Sequence, residues 1–349
     1  MMLDPAKYAQ YHLAIVSAID ELTKASSKTL AIAVVGAGFG GLVQSVLEAM
    51  QETGAQCDVV ALDKNPVAVA ELRRRKSTES DWKLVQVWEV DIRDHEFVET
   101  FEGQVDILVS ELLGGFSDNE LAPECLAACN RLLTRTGVVI PRSTTSYLAP
   151  VHAPTLRHVM LNSKDPNDFE RWWVHAQHVS AEATDVVLLA HPLAVFTFEY
   201  PHVEKGTLYR RRCLPFTNMC STEEHKQAVK RESWCHGFMG YFEADLHGGI
   251  MLSTVPGRAT PQLMVWNPVF FPVKVQFCLP AQLNVCRASS QKGERVWYSW
   301  TLAIDEESDD IEHNRRGLHC YMATGRRDGF QVSLDTTDRP ISLVVHFLI

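Results

Sequence analysis

Residues 29–41 read TLAIAVVGAGFGG. A short unbroken apolar run that ends in glycines predicts a buried parallel strand entering a tight turn. Gly36, Gly38 and Gly41 fall in G-x-G-x-x-G spacing. Such glycines let the chain turn sharply and let backbone N–H groups approach a ligand. An acid roughly 20 residues further on accepts hydrogen bonds from ribose hydroxyls. Asp63 stands at that distance, at the end of the next apolar run, DVVALD. The pattern predicts a nucleoside-bearing cofactor. NAD, FAD and S-adenosylmethionine all use this architecture, and a ligand-free turn is the bland alternative. Asp91 ends a third run, LVQVWEVD, on the same predicted sheet edge. It suits the adenine of such a ligand, or else it is a helix cap.

Working outward, residues 5–23 have helical apolar spacing with Pro5 early. Helices are expected over 42–53, after Pro66, and from about Asn119 to Leu133. VDILVSELL (105–113) reads as a fourth strand and GVVIPRST (137–144) as a fifth. Strands alternating with helices imply a doubly wound, Rossmann-like α/β sheet. After Pro141 short alternating stretches take over, FTFEY, GFMGYFEADL, FFPVKVQFCL and VWYSWTLAI. They predict an antiparallel β-barrel or sandwich. The expected division is therefore 1–144 and 145–349, with a more helical stretch at 152–190, a loop at about 303–317 and a last strand at SLVVHFLI.

The fourth strand leads into SELLGGFSDNEL (110–121), which carries Glu111 and Glu120 on either side of Gly114 and Gly115. Ligands in such folds bind beyond the carboxyl ends of the strands. Two carboxylates brought together there repel unless one is protonated or a cation lies between them. A guanidinium suits them best, being planar, always charged and able to pair bidentately. A divalent metal, a glycosidase-like acid pair, or a strand-end cap beside an ordinary surface glutamate are the other readings. No His or Asp cluster adds the further ligands a metal site needs.

Length, composition and charge fit this picture. The 349 residues, 46% hydrophobic and 22% charged, describe an ordinary globular chain long enough for two domains. A net charge of −10 argues against nonspecific nucleic-acid binding and favours a basic partner. Nine scattered cysteines without a C-x-x-C pair argue for free thiols rather than a disulfide framework or structural zinc. A polar start and no apolar run near the ~20 residues of a membrane helix lead to the expectation of a cytoplasmic or nuclear protein without membrane attachment.

VSELLGGFSDNELAPECL closely resembles the double-glutamate loop of protein arginine methyltransferases, and in particular the type II branch that makes symmetric dimethylarginine. The resemblance extends over nearly the whole chain. DPAKYAQY is similar to the branch's cofactor-covering helix. VVGAGFGGLV and ALDKNP are similar to its cofactor turn and ribose acid. HGFMGYFEADL, MVWNPVFFPV and VWYSW are similar to its barrel segments, in the same order. The resemblance implies transfer of a methyl group from S-adenosylmethionine to protein arginines, giving mono- or symmetric dimethylarginine. Histone tails and Arg/Gly-rich segments are the implied substrates. It assigns the guanidinium to Glu111 and Glu120, the ribose to Asp63, the adenine to Asp91 and Ile92, the methionine end to Lys7 and Tyr8, and the arginine's planar face to Trp266. It also implies a homodimer through an arm at 152–190, with Trp172 and Trp173 as anchors.

The departures are Phe39 where the branch has arginine, Asn267 and Met1 where it has bulky aromatics, and Val265 where type I enzymes carry a histidine. The branch's N-terminal barrel has no counterpart in this sequence, so its adaptor is not expected. An inactive paralogue that regulates an active methyltransferase is the competing reading. An NAD-dependent oxidoreductase would leave the glutamate loop unexplained.

Overall fold

The computed structural model of the chain describes residues 4–25, 28–162, 177–178, 185–201, 208–217, 234–279, 281–289, 296–304 and 343–348. The chain divides into two units. The first comprises Met1–Thr145, Thr197–Gly206 and Phe242–Trp266; the second comprises Ser146–Phe196, Thr207–Tyr241 and Asn267–Ile349.

In the first unit, α1 (Pro5–Ala25) precedes β1 (Leu30–Val35), α2 (Gly41–Thr53), β2 (Cys57–Asp63), α3 (Pro66–Thr78), β3 (Gln86–Glu89), α4 (His95–Thr100), β4 (Val105–Ser110), α5 (Ala122–Cys129) and β5 (Leu133–Ile140). The five strands form one sheet in the order β3-β2-β1-β4-β5. All four pairings are parallel. β4 is buried along its whole length, as a parallel strand covered on both faces must be. Strand order reverses around β1, where Val35 lies opposite Leu62 on one side and Ser110 on the other. That register gathers the glycine turn, Asp63 and Glu111 at one end of the sheet, where an open α/β fold binds its ligand.

α1 buries Tyr11, Ala14, Ile15, Ala18 and Ile19, the i, i+3, i+4, i+7, i+8 stripe of an amphipathic helix. The same core includes Phe242, Ala244, Leu246, Leu252 and Trp266. These come from β11 (Cys235–His247), β12 (Ile250–Ser253) and the loop after it, once β6 (Ser143–His152), α6 (Pro154–Leu161), β7 (Gln177–His178), β8 (Val187–Leu188), β9 (Leu193–Glu199) and β10 (Arg210–Phe216) have passed. His247 Nε2 lies 3.0 Å from Glu21 Oε2 at the tip of this hairpin. The division expected at residue 144 therefore corresponds to the end of the first stretch at Thr145, but 197–206 and 242–266 return to the first unit. The reason is burial: the hairpin's apolar face is covered by the stripe of α1.

Two element boundaries also differ from expectation. The helix expected over 119–133 is broken into a 3-10 turn at Asp118–Glu120, α5, and a second 3-10 turn at Asn130–Leu132. Leu121 takes a left-handed backbone, φ 68°, which no helix can continue through. The fifth strand occupies 133–140 instead of 137–144, because Pro141 has no N–H to give the ladder.

The second unit is antiparallel. β10 pairs with β14 (Ala281–Ser289), β14 with β15 (Val296–Ile304), and β15 with β16 (Leu343–Leu348). The first half of β11 pairs with β13 (Val269–Phe277), which also pairs with β7. Trp300 packs on Phe238 and Phe271, with ring centroids 5.5 and 4.8 Å apart. Within 152–190, the residues 163–176 and 179–184 lie outside the described residues, and Trp172 and Trp173 with them; so do Met1 and 305–317.

Candidate active site

α1 begins at an Asp-Pro pair. Asp4 accepts from Lys7 N at 3.1 Å through Oδ1, so it caps the helix while Pro5 occupies a position that needs no N–H. Its Oδ2 accepts from the amides of Met264 at 2.6 Å and Val265 at 2.7 Å. Burial pushes this carboxyl up, but the amides of Met264, Lys7, Val265 and Ala6 outweigh burial and hold it below the ordinary carboxylate value.

Lys7 is buried, and its Nζ lies 2.8 Å from Glu111 Oε2. The ammonium also sits 4.9 Å from the ring centroid of Tyr8 and 5.5 Å from that of Trp266, within cation–π range. Tyr8 lies against the glycine turn: a Cβ at Gly41 would collide with its phenol ring. Tyr11 donates to Ser110 O at 2.9 Å, which fixes α1 to the end of β4.

The glutamate loop is a constrained structure. Gly114 and Ser117 exchange two backbone hydrogen bonds, and Phe116 N donates to Asn119 Oδ1 at 2.8 Å. A Cβ at Gly114 would strike the Asn119 amide, so glycine is required there. Glu111 is largely buried, and its Oε1 accepts from Leu113 N at 3.3 Å. Glu120, nine residues on, is solvent-exposed. Its carboxyl is nevertheless raised, first by the protein packed around it and then by the charge of Glu111. The two glutamates thus act on each other, which their separation in sequence does not guarantee.

Trp266 is buried. Its Nε1 donates to Leu113 O at 2.7 Å, and its ring meets Phe242 edge-on at 5.1 Å. Among the described residues, the non-glycine positions with a left-handed backbone are Ser117, Leu121 and Gln262. Two flank Glu120 and the third lies in the loop that carries Trp266. Strain of this kind persists where surrounding contacts over-determine a functional conformation.

At the cofactor edge, Asp63 Oδ2 accepts from Gly38 N and Oδ1 from Asn65 N, each at 2.8 Å. The acid therefore shapes the turn. A Cβ added at Gly38 would meet nothing within 4 Å, so the turn leaves open room at the sheet end. That room, with the acid beside it, fits a nucleoside-bearing cofactor. Asp91 accepts from Arg93 Nε at 2.9 Å and Nη2 at 2.7 Å. Arg93 foremost, aided by Lys64, holds its carboxyl well below the ordinary range. Its charge is thus engaged within the protein, and Ile92 beside it is buried. Phe39, in the place the resemblance gives to arginine, is half-exposed on the turn.

Sequence reasoning missed two features. Arg75 stacks on Trp82 at 4.0 Å and donates to Gly40 O at 3.2 Å and Gln44 Oε1 at 3.0 Å, bracing the glycine turn from behind. Asp4 was readable as a helix cap from Asp-Pro, but nothing local marks the partners of its second oxygen.

Residues 2–140 match the family described as PRMT5 arginine-N-methyltransferase, and residues 143–322 match the PRMT5 oligomerisation domain. Protein arginine N-methyltransferase 5 of Oryza sativa subsp. indica is 35% identical over 332 residues, 91% of this chain and 47% of the relative. Protein arginine N-methyltransferase skb1 of Schizosaccharomyces pombe is 34% identical over 354 residues, 96% of this chain and 50% of the relative. The protein of Xenopus laevis with the same description as the Oryza relative is 33% identical over 310 residues, 86% of this chain and 46% of its own. The chain spans about half the length of these relatives. The solved Trypanosoma brucei PRMT1 enzyme-prozyme heterotetrameric complex with AdoHcy is similar in fold, with a TM-score of 0.64 at 13% identity over 87% of this chain and 92% of that one. Arabidopsis thaliana protein arginine methyltransferase 10, in an open conformation, gives 0.62 at 15% identity over 99% and 95%.

Proposed function

The chain belongs to the PRMT5 arginine-N-methyltransferase family, and on that premise we propose that it transfers methyl groups from S-adenosylmethionine to guanidinium nitrogens of protein arginines. The observation that carries this reading is the cation already held in the site: the Lys7 ammonium, 2.8 Å from Glu111 and 5.5 Å from the Trp266 ring. A carboxylate that already binds a cation beside an aromatic ring, with a second glutamate on the same loop, is chemically suited to a guanidinium.

The cofactor, when bound, supplies an electrophilic methyl on a sulfonium. The residues of this chain do the rest. Asp63 and the N–H groups of the glycine turn hold the ribose end, and Lys7 and Tyr8 cover the methionine end. Ile92 and the backbone beside it line the adenine. Glu111 and Glu120 neutralise the arginine cation, draw its charge toward the nitrogens they touch, and aim the remaining nitrogen for in-line attack. Positioning and a fixed electrostatic field provide most of the acceleration. The product is monomethylarginine, symmetric dimethylarginine, or both, because the glutamate and Trp266 loops resemble the symmetric branch. The match to an oligomerisation domain over 143–322 supports self-association, and a homodimer is the proposed state.

Radiolabel transfer from S-adenosylmethionine to histones and an Arg/Gly-rich peptide tests the reading. Fragment-ion mass spectrometry then identifies the methylated form. Asymmetric dimethylarginine as the main product would overturn the branch assignment. Tight cofactor binding without transfer would favour the second reading, an inactive regulatory paralogue, which Phe39 on the cofactor turn and Asn267 beside Trp266 motivate. Light scattering at micromolar concentration tests the dimer, and a monomer mass would contradict it.

A further inference from the structure

We infer that Asp4 is a positioning residue that ties the Trp266 loop to the first turn of α1, so that the cofactor-covering and guanidinium-facing halves of the site behave as one piece. The inference rests on the function proposed above.

An ordinary helix cap satisfies one or two amides of its own helix. Asp4 does that with Oδ1 and then spends its other oxygen elsewhere, on the amides of Met264 and Val265. Those bonds, at 2.6 and 2.7 Å, are at the short end for a charged acceptor. Asp4 is 2% exposed, so water has little access to its carboxylate. The next residue in the chain after Val265 is Trp266. The loop also contains Gln262 with φ 61°, a conformation that external contacts must hold.

Trp266 is thus held at two points: the backbone just before it, at Met264 and Val265, through Asp4, and its indole through Leu113 O. The same carboxylate orients Lys7, whose amide it accepts. Lys7 and Tyr8 face the cofactor's methionine end in the proposed site. A shift of the first turn of α1 on cofactor binding therefore moves the anchor of the Trp266 loop. Such a link makes the two ligands couple, and the coupling is reciprocal.

Serine separates the two roles of Asp4. Its hydroxyl caps a helix about as well as aspartate, but it has no second oxygen to reach Met264 and Val265. The test is calorimetric binding of an Arg/Gly-rich peptide, with and without S-adenosylhomocysteine, to the parent, Asp4→Ser and Asp4→Asn proteins. In the parent, S-adenosylhomocysteine should tighten peptide binding at least fivefold. In Asp4→Ser the melting temperature should stay within a few degrees, cofactor affinity within threefold, and the enhancement should fall below twofold. Hydrogen exchange at the amides of residues 264 and 265 should rise at least tenfold.

Should Asp4→Ser fail to fold, Asp4→Asn carries the test, because it keeps the shape and loses the charge; its enhancement should be at most half the parent's. Parent-like enhancement and exchange in the folded variant would overturn the inference. Absence of any enhancement in the parent would also overturn it, while peptide binding that still depends on Glu111 would leave the proposed function standing. A parent complex that does not bind the peptide at all would instead remove the functional reading itself, and the inference with it.

Discussion

The Lys7–Glu111 pair offers the sharpest quantitative test of the site. At 2.8 Å and an effective dielectric near 20, the Coulomb attraction is about 6 kcal/mol. Desolvating both ions offsets several kcal/mol of that. Lys7 is 3% exposed and Glu111 15%, so neither ion recovers much solvation if its partner is lost. Lys7→Met leaves a buried carboxylate beside Glu120 and should cost about 3 kcal/mol of stability. Glu111→Gln leaves the ammonium a neutral acceptor in the same place and should cost about 2 kcal/mol. The double variant strands neither charge, so the two changes should couple by about 2 kcal/mol in a double-mutant cycle. Unfolding by urea supplies the four values. A coupling below about 0.5 kcal/mol would refute the argument that this is a buried pair with energetic consequence. The same Glu111→Gln protein should lose methyl transfer by at least ~100-fold. It should keep its cofactor affinity, because the charge of Glu111 acts on the substrate; lost cofactor binding would contradict that division of roles.

Trp266→Phe removes the bond to Leu113 O and leaves a buried carbonyl unpaired, so a loss of about 2 kcal/mol is expected, read by urea denaturation. Asp63→Asn should weaken S-adenosylmethionine binding by roughly 10-fold or more, since the acid holds both the turn and the ribose; unchanged affinity by calorimetry would exclude the ribose role. Glu120 titrates above the ordinary glutamate value of 4.5 because of the packed protein and Glu111. Peptide affinity should therefore begin to fall, as pH is lowered, at a higher pH than an ordinary glutamate would give. Glu120's contribution to stability runs the other way: present below the unfolded-state value and lost as pH rises through the folded one. Glu120→Gln should accordingly be at least as stable as the parent at pH 8 while binding peptide poorly, a pairing that thermal unfolding and calorimetry together can check.

The amino-acid sequence by itself determined the alternation of elements, the glycine turn with its acid at Asp63, and the placing of Glu111 and Glu120 on either side of a glycine reversal. These are local: hydrophobic period, glycine spacing and strand-end position all act over a few residues, and they survive without knowledge of the rest of the chain. Even there, Leu121 broke a helix that the apolar spacing from Asn119 onward predicts, because one left-handed residue outweighs the pattern. The tertiary structure decided what the side chains do. Lys7 meets Glu111 across 104 residues and Asp4 meets Val265 across 261. Trp266 leaves the strand-rich second half of the chain to pack with α1, and Arg75 finds the back of the glycine turn. None of these partners could be read from periodicity, because a buried charge or indole is satisfied by whichever donor or acceptor the folded chain brings within about 3 Å, and sequence distance places no constraint on that choice.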